Sequence, residues 1–583
     1  MSSVIFHLDN CDGSEYVLLP SCAYNGNRFR SFKRKYPPMF RPSEVSVDMP
    51  ITITDVPRLE PDGSGCIEIT TGDLSTPCIG VYEKKADKAT FLYTQQQIDG
   101  ENIGIAYERG KITLSYPAFR RKIYTPYIGD CMQDNNETYI GKDAEIPYRK
   151  FEIECHSMAE FFDFYFTHRK LMYPHDQRAS VRSDSELYEI EKNKFNRLNW
   201  TGEYYAINTD GMWKPGWVGG GMASYALMKL GGATEYARAV KTLEKLFSQQ
   251  AESGLFYWTD GESGRFGDGF GTAGTARWLF IRASGDALYF AFQHFELMDK
   301  IPEAFINGAR KLSERFCRIF EKYGQFGQFI DGDSGEIVVG GTSSGAIIPA
   351  ALVMAYRFFK VQRYLETAKQ SAEEMYRREA AKGYTTGGPG ETLQCPDSES
   401  AFALLESMVL LYDETKEEKW LQYAEYAAKL CSTWVVSYNY LFPAQSEFSR
   451  LGIHTVGSVF ANVQNKHAAP GIATLSGSSL DRLYQWTGNL LYKELYEDIA
   501  FSIGQYMSTQ EKPIYAKYAK KYMPEGYINE RVNMSDWEGE NRVGEVFYGS
   551  CCWCETALLL SLAYRMNKDE IRAAGDCPRS GRE

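Results

Sequence analysis

Two stretches of this 583-residue chain concentrate groups able to do acid–base chemistry. Residues 383–400 read GYTTGGPGETLQCPDSES: a Gly-Pro-Gly turn presents Glu391, and a helix start follows, with Asp397 or Ser398 as N-cap and Glu399 in the first turn. Residues 522–555 contain INERVNMSDWEGENRVGEVFYGS, where Glu530, Asp536, Glu538, Glu540 and Glu545 are interleaved with Arg531, Arg542 and Trp537. Breaking a glycosidic bond takes two carboxyl groups flanking the anomeric carbon, one protonated and one ionised, roughly 5 to 10 Å apart. Two loops on one rim can supply such a pair, and the expected catalytic set is Glu391 with Asp536 or Glu545.

The flanking residues suit a sugar. Trp213 and Trp217 in MWKPGWVGGG, with Trp258 and Trp537 in equivalent loops, offer faces on which a pyranose can stack; rim packing is the competing reading. Asn462, Gln464, Asn465 and His467 form a polar cluster in NVQNKHAAPGI, useful for hydroxyls, and Asp397 joins the expected binding set. Arg531 and Arg542, with His467, match a carboxylate on the substrate, because a guanidinium grips carboxylate through two parallel bonds. Salt bridges to the neighbouring acids are the alternative for both arginines. Cys551, Cys552 and Cys554, with Cys395 shortly after Glu391, form the one cluster that could hold zinc. No cofactor or metal is expected, and Cys395, Cys551 and Cys552 stand as the alternative zinc ligands. HExxH, a P-loop and a strand-borne GxGxxG are all missing, so nucleotide and protease readings lack support.

The elements that must position these groups show in a repeat. An aromatic residue followed four positions later by a small or aliphatic one recurs at Tyr236/Val240, Phe305/Ala309, Tyr364/Ala368, Trp420/Ala424 and Tyr496/Ala500, at intervals of about 55 to 75 residues. That is the mark of stacked helical hairpins. Five of them plus a degenerate one at an end predict an (α/α)6 toroid over 188–574, with long Gly-, acid- and aromatic-rich loops gathered on one face. Upstream, short β-branched and aromatic runs at 66–70, 78–82, 90–93, 103–107, 112–116 and 151–155 alternate with turn residues. They predict an antiparallel β-sandwich over 1–157. Residues 158–187 read as a helical bridge and 575–583 as a disordered tail. The fold class expected is multidomain α+β, an N-terminal antiparallel β-sandwich followed by an (α/α)6 toroid.

Composition sets outer limits. A net charge of −12 argues against nucleic acid or an anionic membrane as partner, leaving an oligosaccharide substrate, and the sandwich offers a surface for a homodimer. The thirteen cysteines are scattered singly apart from the trio at 551–554, which reads as a reduced set of thiols. The N-terminus has no basic n-region or apolar h-region, so the chain reads as cytoplasmic as written, and as periplasmic or secreted if a signal peptide has been removed.

The YNGNRF segment at Tyr24 to Phe29, together with GGPGE, PDSES and NVQNKH, resembles the bacterial carbohydrate-active enzymes that couple an N-terminal β-sandwich to a C-terminal (α/α)6 barrel, nearest among them the β-glucuronidase-like glycoside hydrolase family 154. The resemblance implies an exo-acting hydrolase that removes a terminal sugar, with β-linked glucuronic acid as the sugar. Glu391, Cys395, Cys551 and Cys552 are also similar to the thiolate-and-zinc set of the family 127 β-L-arabinofuranosidases, where the domain order is reversed. That likeness implies a cysteine- and zinc-dependent alternative. Polysaccharide lyases and sugar 2-epimerases are built on the same toroid, and a lyase would use Tyr527, Tyr548 or His467 as its base. A non-catalytic glycan-binding protein would keep the aromatic funnel without needing its acids.

Overall fold

Alternating apolar runs broken by Gly, Asp and Pro build two antiparallel sheets in the computed structural model, which describes residues 2–34, 40–54, 56–120, 144–179, 182–257, 259–261, 264–266, 274–471, 475–536, 542–547, 549 and 551–566. One sheet orders its strands Ser2–His7, Lys111–Tyr116, Gly104–Glu108, Ile67–Thr70. The other runs Tyr148–Glu154, Lys88–Thr94, Cys78–Glu83, Tyr16–Leu19, Ala23–Tyr24. The period of two sorts their side chains. Val17, Ile79, Val81 and Leu92 share one hydrophobic cluster with Ile69, Ile105 and Leu114 of the facing sheet. Tyr16, Leu18, Tyr82 and Phe91 turn the other way, into the cluster that the helices form. The second sheet is therefore buried on both faces along its inner strands, while its edge strand Tyr148–Glu154 stays largely exposed. All six expected strand positions coincide with strands; Ser2–His7 and Tyr16–Leu19 are additional.

Helix α1 (Met158–His168) covers the outward face of that sheet, with Phe161 stacked on Phe91 at 4.7 Å and Ser157 capping its first turn by accepting from the Glu160 N–H. The expected bridge over 158–187 is helical only at its ends, since α1 stops at His168 and α2 (Asp184–Lys194) starts with a Ser183/Glu186 capping box.

Among the described residues twelve further α-helices follow: α3 (Met222–Leu230), α4 (Ala233–Ser248), α5 (Ile281–Phe295), α6 (Glu303–Tyr323), α7 (Ile348–Phe359), α8 (Gln362–Arg378), α9 (Ser398–Thr415), α10 (Glu418–Ser432), the five-residue α11 (Glu447–Leu451), α12 (Ser478–Thr487), α13 (Leu490–Ser502) and α14 (Trp553–Arg565). They pair as α3/α4, α5/α6, α7/α8, α9/α10 and α12/α13. α3 also packs on α5, α5 on α7, α7 on α9 and α9 on α12, while α14 returns to α3 and to α2. Sequence decides which partner lies inside. α9 is apolar around most of its surface and nearly all buried, whereas α8 carries one apolar stripe, Tyr364, Leu365, Ala368, Ala372 and Met375, under an exposed charged face. The repeated aromatics fall in α4, α6, α8, α10 and α13, and Phe305, Tyr364, Trp420 and Tyr496 are buried against the inner layer. Among the described residues no helix is long and apolar enough to cross a membrane. The expected tail at 575–583 lies outside the described residues.

The sheets brace the helices at the inner helices' N-terminal ends. Tyr16 Oη donates to Gly383 O at 2.7 Å, Phe29 meets Tyr384 edge-on at 5.1 Å, and Thr52 and Gln394 bond twice, each at 2.9 Å. All four contacts fall on or beside the loop that carries Glu391.

Candidate active site

The first turns of α3, α5, α9 and α14 converge on a buried charged network. Arg282 and Asp286 stand one turn apart on α5, in a helix otherwise almost wholly apolar, and both are enclosed. The Arg282 guanidinium pairs with Glu399 in the first turn of α9, approaches Asp286 at 3.4 Å, and donates to Gly388 O at 3.2 Å. Trp217, just before α3, donates from Nε1 to Glu399 at 2.8 Å and from its backbone N–H to Asp286 at 3.0 Å. Asp397 caps α9, accepting from Ser400 N–H at 2.6 Å and from Gly388 N–H at 3.0 Å. Only glycine fits at 388, since a Cβ there would stand 2.3 Å from Asp397 Oδ1. Burial of so many acids around one guanidinium is tolerable only if some of them hold protons. Burial and then the Glu399 charge push Asp397 up to about 8, and burial pushes Asp286 up to about 6 despite Arg282.

Above this network lies a second group whose residues are half-buried, not enclosed: Glu391, Lys214, Cys551 and Glu530. Glu391 as a whole keeps some open surface, but its carboxyl is inside. Oε1 accepts from Asn465 Nδ2 at 3.1 Å, and Oε2 has no hydrogen-bond partner among the described residues. Burial, and next the charge of Glu399, raise the Glu391 carboxyl to about 7. Burial lowers the Lys214 ammonium, opposed by Cys551, Glu391 and Glu530, and Lys214 Nζ sits 5.0 Å from the centre of the Trp217 ring. Trp553 meets that ring edge-on at 5.5 Å. Glu530 Oε2 lies against Gly549, where a Cβ would come within 1.6 Å of it. Burial and the Glu530 charge hold the Cys551 thiol well above its usual range, so it is a neutral group here. The arrangement offers a carboxyl that keeps its proton near neutrality and a lysine that feels the charges of both Glu391 and Glu530.

Several expected residues meet here. Asn465 reaches Glu391 because its loop is zipped to the Asp397 loop by Ser398 N–H to Ala461 O at 2.9 Å and Val463 N–H to Pro396 O at 3.1 Å. Asn462 Oδ1 then accepts the N–H groups of Gln464 and Asn465, each at 2.9 Å. Trp217 and Asp397 belong to the network beneath. His467 and Arg531 fall on one face of the antiparallel bridge between Ala468 and Val532, and the Arg531 guanidinium lies 3.8 Å over Phe547. Other expected residues lie elsewhere. Asp536 is bonded to Arg120, which also holds Asp73 at 3.1 Å, at the seam with the sheets. Glu545 takes Lys517 Nζ at 3.1 Å, and Arg542 lies 4.1 Å over Tyr518. Trp213 packs edge-on against Tyr204 at 5.2 Å, beside Lys245 of α4. Tyr527 Oη donates to Phe547 O at 2.7 Å and accepts from Gly549 N–H at 3.1 Å. Trp537, Trp258, Glu538, Glu540 and Tyr548 lie outside the described residues.

The three candidate zinc thiols face different partners. Cys395 points at Asn462 Oδ1, 3.8 Å away, Cys551 stands by Lys214, and Cys552 lies near the buried Lys194–Glu555 pair, itself 2.9 Å apart. Among the described residues no group of three or more His, Cys, Asp and Glu is arranged to hold a metal, and every described cysteine is a free thiol. Lys214, Arg282 and Asp286 were not among the residues expected from sequence, and Glu399 was placed only in the first turn of a helix. The signal for two of them was present: an Arg and an Asp at i and i+4 inside IRASGDALYFAFQHF are out of place unless buried as a pair.

No protein-family model matches the chain, and no curated protein matches it. Among solved structures it is similar to a D-mannose isomerase, with 11% identity and a TM-score of 0.43 over 67% of this chain and 100% of that one. It is similar to the GH76 α-mannanase of Bacteroides thetaiotaomicron at 12% identity and a TM-score of 0.43, over 68% of this chain and 98% of that one. It is also similar to an unsaturated glucuronyl hydrolase specific for heparin, at 14% identity and a TM-score of 0.42, over 67% and 98% of the two chains.

Proposed function

We propose that the chain is a glycoside hydrolase, built as a β-sandwich over 1–157 and an (α/α)6 toroid over 188–574, that removes a terminal sugar by paired-carboxylate catalysis. Glu391 is the general acid and Glu530 the ionised partner. Lys214 sits among their charges and steadies the ionised one, while Asn465 orients the acid through Oε1 and leaves Oε2 for the leaving oxygen. The observation that carries this reading is the enclosed Glu391 carboxyl, with one oxygen bonded, one unbonded, and a proton retained up to about pH 7. His467 and Arg531 on one bridge face, close in sequence to Asn465 and Glu530, suit the carboxylate of a β-linked glucuronic acid.

The test is turnover of a panel of aryl glycosides, uronides included, against pH. A bell-shaped profile is expected on at least one, with the descending limb near pH 7 set by Glu391. Glu391→Gln should lose at least ~10²-fold in kcat/KM on a poor leaving group and much less on a dinitrophenyl glycoside, which needs no protonation. Full turnover by both Glu391→Gln and Glu530→Gln on every cleaved substrate would overturn the assignment.

A further inference from the structure

The ring of helices holds a cavity at the end away from Glu391. Helices α5, α9 and α14 each give their first turn to the Glu391 site and residues seven or more positions later to this cavity: Arg282 and then Tyr289 and Gln293 on α5, Glu399 and then Glu406 and Leu410 on α9, Trp553 and then Leu560 and Tyr564 on α14. At 1.5 Å per residue that puts the cavity roughly 10 to 16 Å further along the axis. Its volume is about 290 Å³, room for around ten waters at ~30 Å³ each and so for a molecule of about a dozen heavy atoms.

The lining mixes apolar wall with hydrogen-bonding groups. Leu410, Leu475, Leu560 and Met354 form wall, and Tyr225, Tyr289 and Tyr564 contribute rings. Glu406 is enclosed and rigidly held, Oε1 by Tyr289 Oη at 2.7 Å and Oε2 by Ser479 Oγ at the start of α12. Tyr225 and Lys229 line the same space. Charge is close to balanced. Lys229 faces Glu296, and the two arginines of the lining are already matched, Arg357 by Asp413 at 3.0 Å and Glu414 at 2.7 Å, Arg482 by Asp413 at 2.9 Å. Such a space selects against net charge and for a ligand with many hydroxyls, each able to donate and accept.

We infer that this axial cavity is a binding site for a neutral monosaccharide, separate from the site of Glu391. It does not depend on the hydrolase reading. A chain that binds sugar here and cleaves no glycoside overturns that reading and leaves this one standing.

Isothermal titration of the full-length protein with glucose, galactose, mannose and xylose, and with glucuronate as an anionic comparison, tests it. At least one neutral sugar should saturate a site at millimolar concentration or tighter. Its affinity should fall at least ~10-fold in Leu410→Trp, which fills the cavity, and in Lys229→Met, and should be unchanged in Glu391→Gln. Lys229→Met changes one half-buried side chain outside the catalytic group, so it keeps the test alive if Leu410→Trp does not fold. Binding of no neutral sugar, binding of glucuronate alone, or binding that Glu391→Gln abolishes and both cavity variants retain would each overturn the inference.

Discussion

Glu391 owes its proton first to enclosure and second to Glu399, which sits close enough to repel a second negative charge while Arg282 and Trp217 hold it in place. The two causes can be separated. Glu399→Gln keeps an oxygen for Trp217 Nε1 and removes the charge, so the Glu391 carboxyl should ionise at lower pH. An acid that ionises earlier is spent earlier as pH rises, so the descending limb of kcat/KM should move to lower pH, and turnover at pH 8 should drop at least ~10-fold relative to wild type. A limb that stays in place on the fastest-cleaved aryl glycoside would mean that enclosure alone sets the acid.

At the scale of elements, the acid's position depends on how the Gly-rich loop enters α9. Asp397 caps that helix only because Gly388 lets its N–H come close, and the same cap fixes Glu399 two residues later. Gly388→Ala forces a Cβ into the capping carboxyl. Loss of the cap costs about 1 to 2 kcal/mol, and the displaced loop also carries Glu391. Thermal unfolding should show a lowered midpoint, and kcat/KM should fall at least ~10²-fold; a variant that unfolds and turns over as wild type does would show that the close approach has no role. Much of this element layer was legible in the sequence. The spaced aromatics marked the helical hairpins, because a stripe buried on one face leaves a period in the residues. PDSES named the cap, because capping is local chemistry. Glu391 stood out because no capping role explained it. Lys214 and Glu399 were not legible in that way, since what makes them part of a site is the meeting of chain segments far apart in sequence. Asp536 and Glu545 illustrate the converse: a dense acidic run draws the eye, but Arg120 and Lys517 occupy these two at other places.

For the whole molecule, the enclosed acids make folding a proton-binding event. Burial raises Asp286 and Glu379 to about 6, Glu391 to about 7 and Asp397 to about 8. An unfolded chain has these groups near 4. Between that value and each raised one the folded state holds more protons than the unfolded state, so stability falls as pH rises. The contribution is complete below about pH 4 and is lost as pH climbs through 6, 7 and 8. Asp413 runs the other way: although burial raises it, Arg482, Lys416 and Arg357 bring it down to about 2, and its share is lost as pH falls below 4. The midpoint of thermal unfolding should therefore peak on the acid side of neutrality and drop by more than ~3 °C between pH 5.5 and pH 8.5. Because these charges are enclosed, 0.5 M salt should leave most of that slope in place, whereas a slope produced by exposed pairs would be screened away. A midpoint flat or rising over that interval would mean that the four acids are ionised in the folded protein, and the proton assigned to Glu391 would go with them.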